Sequence, residues 1–150
     1  MADPLSMYVP IKQDATSQAA AAQAAKVFVT NVKDGLNESQ IVHYAKLVLI
    51  PNLSGKGIQA IFLSTEFDGG MNAYLKFFWQ NPDTQQAFAG IAAIALTPPD
   101  PPVTDLTGFT NFVNSTNLSV PADLYGAYTK TVKQINAKRP VKQAVANKKK

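Results

Sequence analysis

The stretch that decides the fold is Ile41–Trp79. It reads IVHYAKLVLIPN over 41–52, IQAIFLSTEFDGG over 58–70 and MNAYLKFFW over 71–79. Ile41 to Ile50 is rich in β-branched residues and too short for a typical helix, so it predicts a strand. Simple alternation puts His43, Ala45, Leu47 and Leu49 on one face, with Val42, Tyr44, Lys46, Val48 and Ile50 on the other. Pro51 to Gly57, with two glycines, turns the chain, and Ile58 to Phe67 returns as a partner strand. Asp68-Gly69-Gly70 ends that strand and places Asp68 to cap a helix in which Met71, Tyr74, Leu75 and Phe78 share a face.

Working outward, Leu5 to Lys12 alternates as a first strand, and Pro10 argues for an edge position or a strand end. Asp14 is placed to cap a helix from Ala15. Ala20, Ala24, Val27, Phe28 and Val32 form its apolar stripe, and Gly35 is expected to end it in the left-handed conformation. Asn81-Pro82 opens a further helix carrying Phe88, Ile91, Ala92 and Ala95. PPDPP at 98–102 stops it. Asp105 to Asn114 predicts a short helix anchored by Leu106, Phe109, Phe112 and Val113. Leu124 to Tyr128 predicts a fourth strand, and Thr131 to Ile135 a short terminal helix. The order β-α-β-β-α plus a last strand gives an α+β fold of ferredoxin-like plan, an antiparallel sheet with helices on one face.

The 150 residues are expected to form one domain over 1–137 and a basic flexible tail over 138–150. Residues 1–129 hold six lysines against all ten acidic residues, whereas 130–150 hold eight basic residues and no acid. The tail, KRPVKQAVANKKK, has neither aromatic residues nor apolar periodicity. It is either a solvated extension or a non-specific contact for an acidic partner such as nucleic acid, an anionic membrane or a neighbouring subunit. Sequence-specific nucleic-acid reading is not indicated, because no stacking aromatic accompanies it. No apolar run approaches the ~18–20 residues of a membrane span. The first residues, MADPLSMYVPIK, lack the layout of a secretory signal, so a cytoplasmic location is expected. With no cysteine, disulfides, thiol nucleophiles and thiolate metal sites are excluded. Phosphate-cradling loops, nucleophile elbows and zinc spacings are absent.

HYAKLVLIP at 43–51, followed by FLSTEFDGGMNAYLKFF at 62–78, resembles a pattern in uncharacterised bacterial proteins. In them, histidine-aromatic-alanine-arginine precedes an aromatic-Asp-Gly turn and a Tyr-Leu/Met helix. Asp100-Pro-Pro-Val, Phe112, Tyr125-Gly-Ala-Tyr128, Thr131-Val132 and Ile135 look similar to that family's later elements, so the resemblance spans most of 5–135. Such proteins look related to dimeric α/β-barrel domains, which include dye-decolourising peroxidases, chlorite dismutases and small monooxygenases. The resemblance implies a fold, and a homodimer or higher oligomer, more than a reaction. Lys46 stands where arginine is usual, which removes a bidentate contact. The haem signature of the peroxidases is not seen.

His43 is the only histidine. It is a candidate general base, haem axial ligand or pH switch, with a buried structural imidazole as the plain alternative. Asp68 is a candidate acid, base or cation holder, or else a helix cap. Glu66, two residues away, would share its face. A ligand-binding wall is expected from His43, Tyr44, Phe62, Phe67, Tyr74 and Phe78, or else these aromatics are core. No metal site is expected. Three functions follow: binding of a small, largely apolar molecule between sheet and helices; a structural or assembly role through the sheet face and basic tail; and a peroxidase-like or cofactor-independent oxygenase, with haem as a candidate cofactor.

Overall fold

β3, Ile58–Asp68, lies at the centre of a three-stranded antiparallel sheet ordered β1-β3-β2. The computed structural model describes residues 2–138. β1 is Ala2–Pro10 and β2 is Val42–Pro51, and between them runs α1, Ala15–Ser39. After β3 come α2, Met71–Trp79; α3, Pro82–Ile94; and α4, Leu106–Thr116. A single 3-10 turn, Pro121–Asp123, and α5, Val132–Asn136, complete the described chain. The fold is α+β, and the stretch quoted above supplies two of the three strands and the helix that follows them.

The helices begin where short polar side chains can accept the free N–H groups of a first turn. Asp14 accepts from the Ser17 N–H at 2.9 Å and from its hydroxyl at 2.8 Å, which holds the Asp14 carboxyl below its usual range. Asn81 and Asp105 cap α3 and α4 in the same way, the latter accepting from Gly108 N–H at 2.7 Å. α1 corrects one expectation: it runs through Gly35 and ends four residues later, where Gln40 takes the left-handed conformation with φ 49°. Gly35 is instead a point of close approach. A Cβ there would sit 3.2 Å from Asn81 Nδ2, so a bare backbone lets α1 cross the α2–α3 junction.

One face of the sheet forms the core. Leu5, Met7 and Val9 from β1 and Ile61, Leu63 and Phe67 from β3 pack against Phe28 and Val32 of α1, Phe78 of α2, Phe88 of α3 and Phe109 of α4. The opposite face carries Tyr8, Phe62 and Val48 in one cross-strand row, and Ser6, Ser64 and Lys46 in the next. The outer edge of β1 is closed by two isolated bridges, Met7 with Asn117 and Ile11 with Ala95. The fourth strand expected over 124–128 does not form, and that segment is irregular. Its place beside β1 is taken by these bridges, with Leu118 N–H donating to Ser6 C=O at 2.9 Å and Leu96 N–H to Pro10 C=O at 2.8 Å. The basic tail lies, apart from Lys138, outside the described residues.

No helix of the described residues is long and apolar enough to cross a membrane. Gly108 offers a sharp check of the packing. A Cβ there would overlap the Pro102 carbonyl oxygen, whereas a Cβ at Gly90, exposed on α3, would meet nothing. Gly108→Ala should lose about 1–3 kcal/mol in urea denaturation from backbone displacement. Gly90→Ala should gain about 0.5–1 kcal/mol from helix propensity.

Candidate functional site

The site is made by an irregularity in β2. Val42 pairs with Phe67 and Tyr44 with Glu66, so two consecutive β3 residues face partners that stand two apart on β2. His43 is the extra residue of a β-bulge, which re-aims its side chain. The expected sharing of a face by His43 with Ala45, Leu47 and Leu49 is therefore corrected. The bulge turns the imidazole to the outer face, where Nε2 meets Asp68 Oδ1 at 2.9 Å. Asp68 alternates with the buried Phe67 along β3, so it lies with Glu66 on that outer face, as the spacing implied.

Asp68 does not cap α2. Gly70 takes that position without a side-chain bond. The second Asp68 oxygen, Oδ2, accepts the Val132 N–H at 2.7 Å, reaching 64 residues along the chain to the start of α5. One carboxylate thus joins the bulge of β2, the end of β3 and the C-terminal segment. An ionised carboxylate can only accept, so the contact calls for a proton on His43 Nε2 and leaves Nδ1 as the ring nitrogen not engaged by it. Among the described residues Nδ1 has no partner, and it is not sealed from solvent.

Around this pair the surface is concave. A groove of about 320 Å³ lies between Tyr44 and Glu66 on the sheet and the segment 124–130, which adds Tyr125 and Tyr128. A second, of about 350 Å³, adjoins it on the far side of His43 between Gln40 and Asn136. Tyr44 is 72% exposed, and Tyr125 and Tyr128 are each 90% exposed. These three rings are available as contact surface.

The six expected wall residues do not form one wall. His43 and Tyr44 stand at the groove. Phe62 is on the same outer face but two rows away, beside Tyr8 and Val48. Phe67, Tyr74 and Phe78 are brought together on the opposite side of the sheet, as core. The Phe67 and Tyr74 rings stack at 4.0 Å, and those of Tyr74 and Phe78 lie 4.7 Å apart. The space left between sheet and helices there is about 20 Å³, room for about one water. Tyr74 shares a hydrogen bond of 3.2 Å with the Thr65 hydroxyl, and burial pushes its phenol up to about 12. Tyr125 and Tyr128 fall in the stretch expected as a fourth strand, and nothing in its sequence signals that it folds back over β2. No group of three His, Asp or Glu side chains able to hold a metal forms among the described residues.

Asp68→Ala should release the C-terminal segment without unfolding the sheet. The Val132 amide should then exchange with solvent at a rate close to that of an open chain, while core amides of β3 stay protected. Stability should fall by about 1–3 kcal/mol, the cost of orphaning partly buried polar groups. Tyr74 predicts a pH effect. A phenol titrating near 10 when unfolded and about 12 when folded contributes fully below pH 10. That contribution is lost as the pH rises from 10 towards 12, with a total of about 2–3 kcal/mol. Denaturation of wild type and Tyr74→Phe across that range should show the extra slope only in wild type. No family model, curated protein or solved structure matches this chain.

Proposed function

We propose that this chain is a small-molecule-binding domain of ferredoxin-like, dimeric α/β-barrel type, whose ligand rests on the open sheet face beside His43 and Tyr44. The observation that carries the reading is the groove of about 320 Å³, built around a histidine whose orientation a carboxylate fixes. The β-α-β-β-α order, and the strand order β1-β3-β2 with bridges where a fourth strand would run, support the fold assignment. The space of about 20 Å³ between sheet and helices moves the ligand away from the position expected from the sequence. The ligand that fits is planar and largely apolar, to lie against tyrosine rings, with one polar group for His43 Nδ1.

Two observations favour second readings. The apolar row Tyr8–Phe62–Val48 on the uncovered face suits assembly with a second sheet, as in a barrel of two copies. The Asp68–His43 pair suits a proton-transfer role, since the carboxylate fixes the ring and leaves Nδ1 towards solvent, and so keeps a cofactor-independent oxygenase in view. Were His43 to bind a haem iron, it would do so through Nδ1, because Nε2 is committed to Asp68. Contact of the basic tail with an acidic partner is a separate proposal, resting on the charge split alone.

The test is an NMR titration with a library of planar aromatic fragments. Binders should shift the His43 ring and Tyr44, and His43→Ala should weaken them at least tenfold while the sheet remains folded. Binding that ignores both His43→Ala and Tyr44→Ala would sink the proposal.

A further inference from the structure

The two edges of the sheet are unlike. That of β1 is bridged, whereas among the described residues β2 is the last strand on its side. On β1, Ser6 and Pro10 turn their carbonyls away from β3, towards Leu118 and Leu96. Inward and outward backbone groups alternate along an antiparallel strand. Leu5, Met7 and Val9 therefore bond to Thr65, Leu63 and Ile61 of β3, and the residues between, Glu66, Ser64 and Phe62, bond to Tyr44, Lys46 and Val48. This leaves the N–H and C=O groups of Ala45, Leu47 and Leu49 directed to the free side of β2. Among the described residues none of them has a backbone partner outside the sheet.

We infer that this edge pairs, antiparallel and about a two-fold axis at Leu47, with the same edge of a second copy, making one continuous six-stranded sheet. The strand itself indicates a copy of this chain. β2 is regular only between its two irregularities, at Val42/Tyr44 and Ile50/Pro51, and the midpoint of that run is Leu47. Centred there, Ala45 meets Leu49 of the copy, Leu47 meets Leu47, and Leu49 meets Ala45, so every outward donor and acceptor is used. An axis at Lys46 would bring the bulge at His43 opposite Leu49 and set two lysines face to face. An axis at Val48 would bring Pro51, which has no N–H, opposite Ala45. Only the Leu47 register avoids all three faults. It sets Lys46 opposite Val48 of the copy on the outer face. An unpaired edge of this length is otherwise a liability that folded chains cover or blunt.

The full chain is tested in three ways. In wild type at about 1 mM, where weak association is populated, sedimentation should give a dimer, and the amides of Ala45, Leu47 and Leu49 should become protected from exchange as it forms. Val48→Glu, facing Lys46 of the copy, should give a dissociation constant at least tenfold lower than Val48→Lys. In this cysteine-free chain, Lys46→Cys with Val48→Cys should oxidise to a covalent dimer, because residues opposed in a non-hydrogen-bonded pair have Cα atoms about 4.5 Å apart. Lys46→Cys alone should not. A single-chain mass at 1 mM overturns the inference, as does a dimer in which those three amides stay unprotected. Cross-linking by Lys46→Cys alone overturns the register. Protection of the same amides at a single-chain mass would mean that another part of the chain fills the edge, and that too overturns it.

Discussion

Everything in this molecule is referred to the backbone ladder of β3. It is bonded on both sides, by β1 and β2, so it cannot slip against one without disturbing the other. Its period of two then sorts the chain into an inside and an outside. Ile61, Leu63, Thr65 and Phe67 go under the helices, while Phe62, Ser64, Glu66 and Asp68 go to the open face. A one-residue shift would put Asp68 into the core and Phe67 into water. The register is fixed by that penalty rather than by any single contact, and the site inherits its precision from it.

The bulge at His43 has meaning only against this frame. A strand in strict alternation would have sent the sole histidine towards α1, among Leu47 and Leu49. One inserted residue sends it outwards instead, to a carboxylate at the very end of β3. Rigid sheet, one local defect and one carboxylate from a strand end together orient an imidazole without a loop. The same carboxylate holds the start of α5. The polar chemistry and the docking of the C-terminal segment therefore share one side chain.

Most elements could be read from the sequence because they are written in local chemistry. Asp14, Asn81, Asp105 and Thr131 each accept the helix N–H bonds that their position announces. The α+β class follows from the two strands and the helix of residues 41–79. What failed was non-local. Gly35 looked like a helix end, but its role comes from Asn81, which is remote in sequence. Asp68 looked like a cap for α2, and its partners proved to be His43 and Val132. Tyr125 and Tyr128 sit in a segment tied to the sheet by distant hydrogen bonds, at Ser6 and Asp68, which no periodicity encodes. Apolar spacing did identify Phe67, Tyr74 and Phe78 as neighbours. It could not say whether they surround a cavity or fill it, because that depends on how closely four helices approach.

The segment from Leu118 to Lys138 contributes no buried side chain. Free energy for holding it in place comes from a few hydrogen bonds, so it opens in an equilibrium of its own, far below the cost of unfolding the sheet. One wall of the groove is therefore soft while the other is rigid. A ligand bound there would have to order that wall, and its affinity would carry an entropic penalty that grows on warming. Proteases would find the same segment first. Nicking there would remove Tyr125 and Tyr128 yet leave the domain folded, turning a two-sided groove into an open shelf on the sheet.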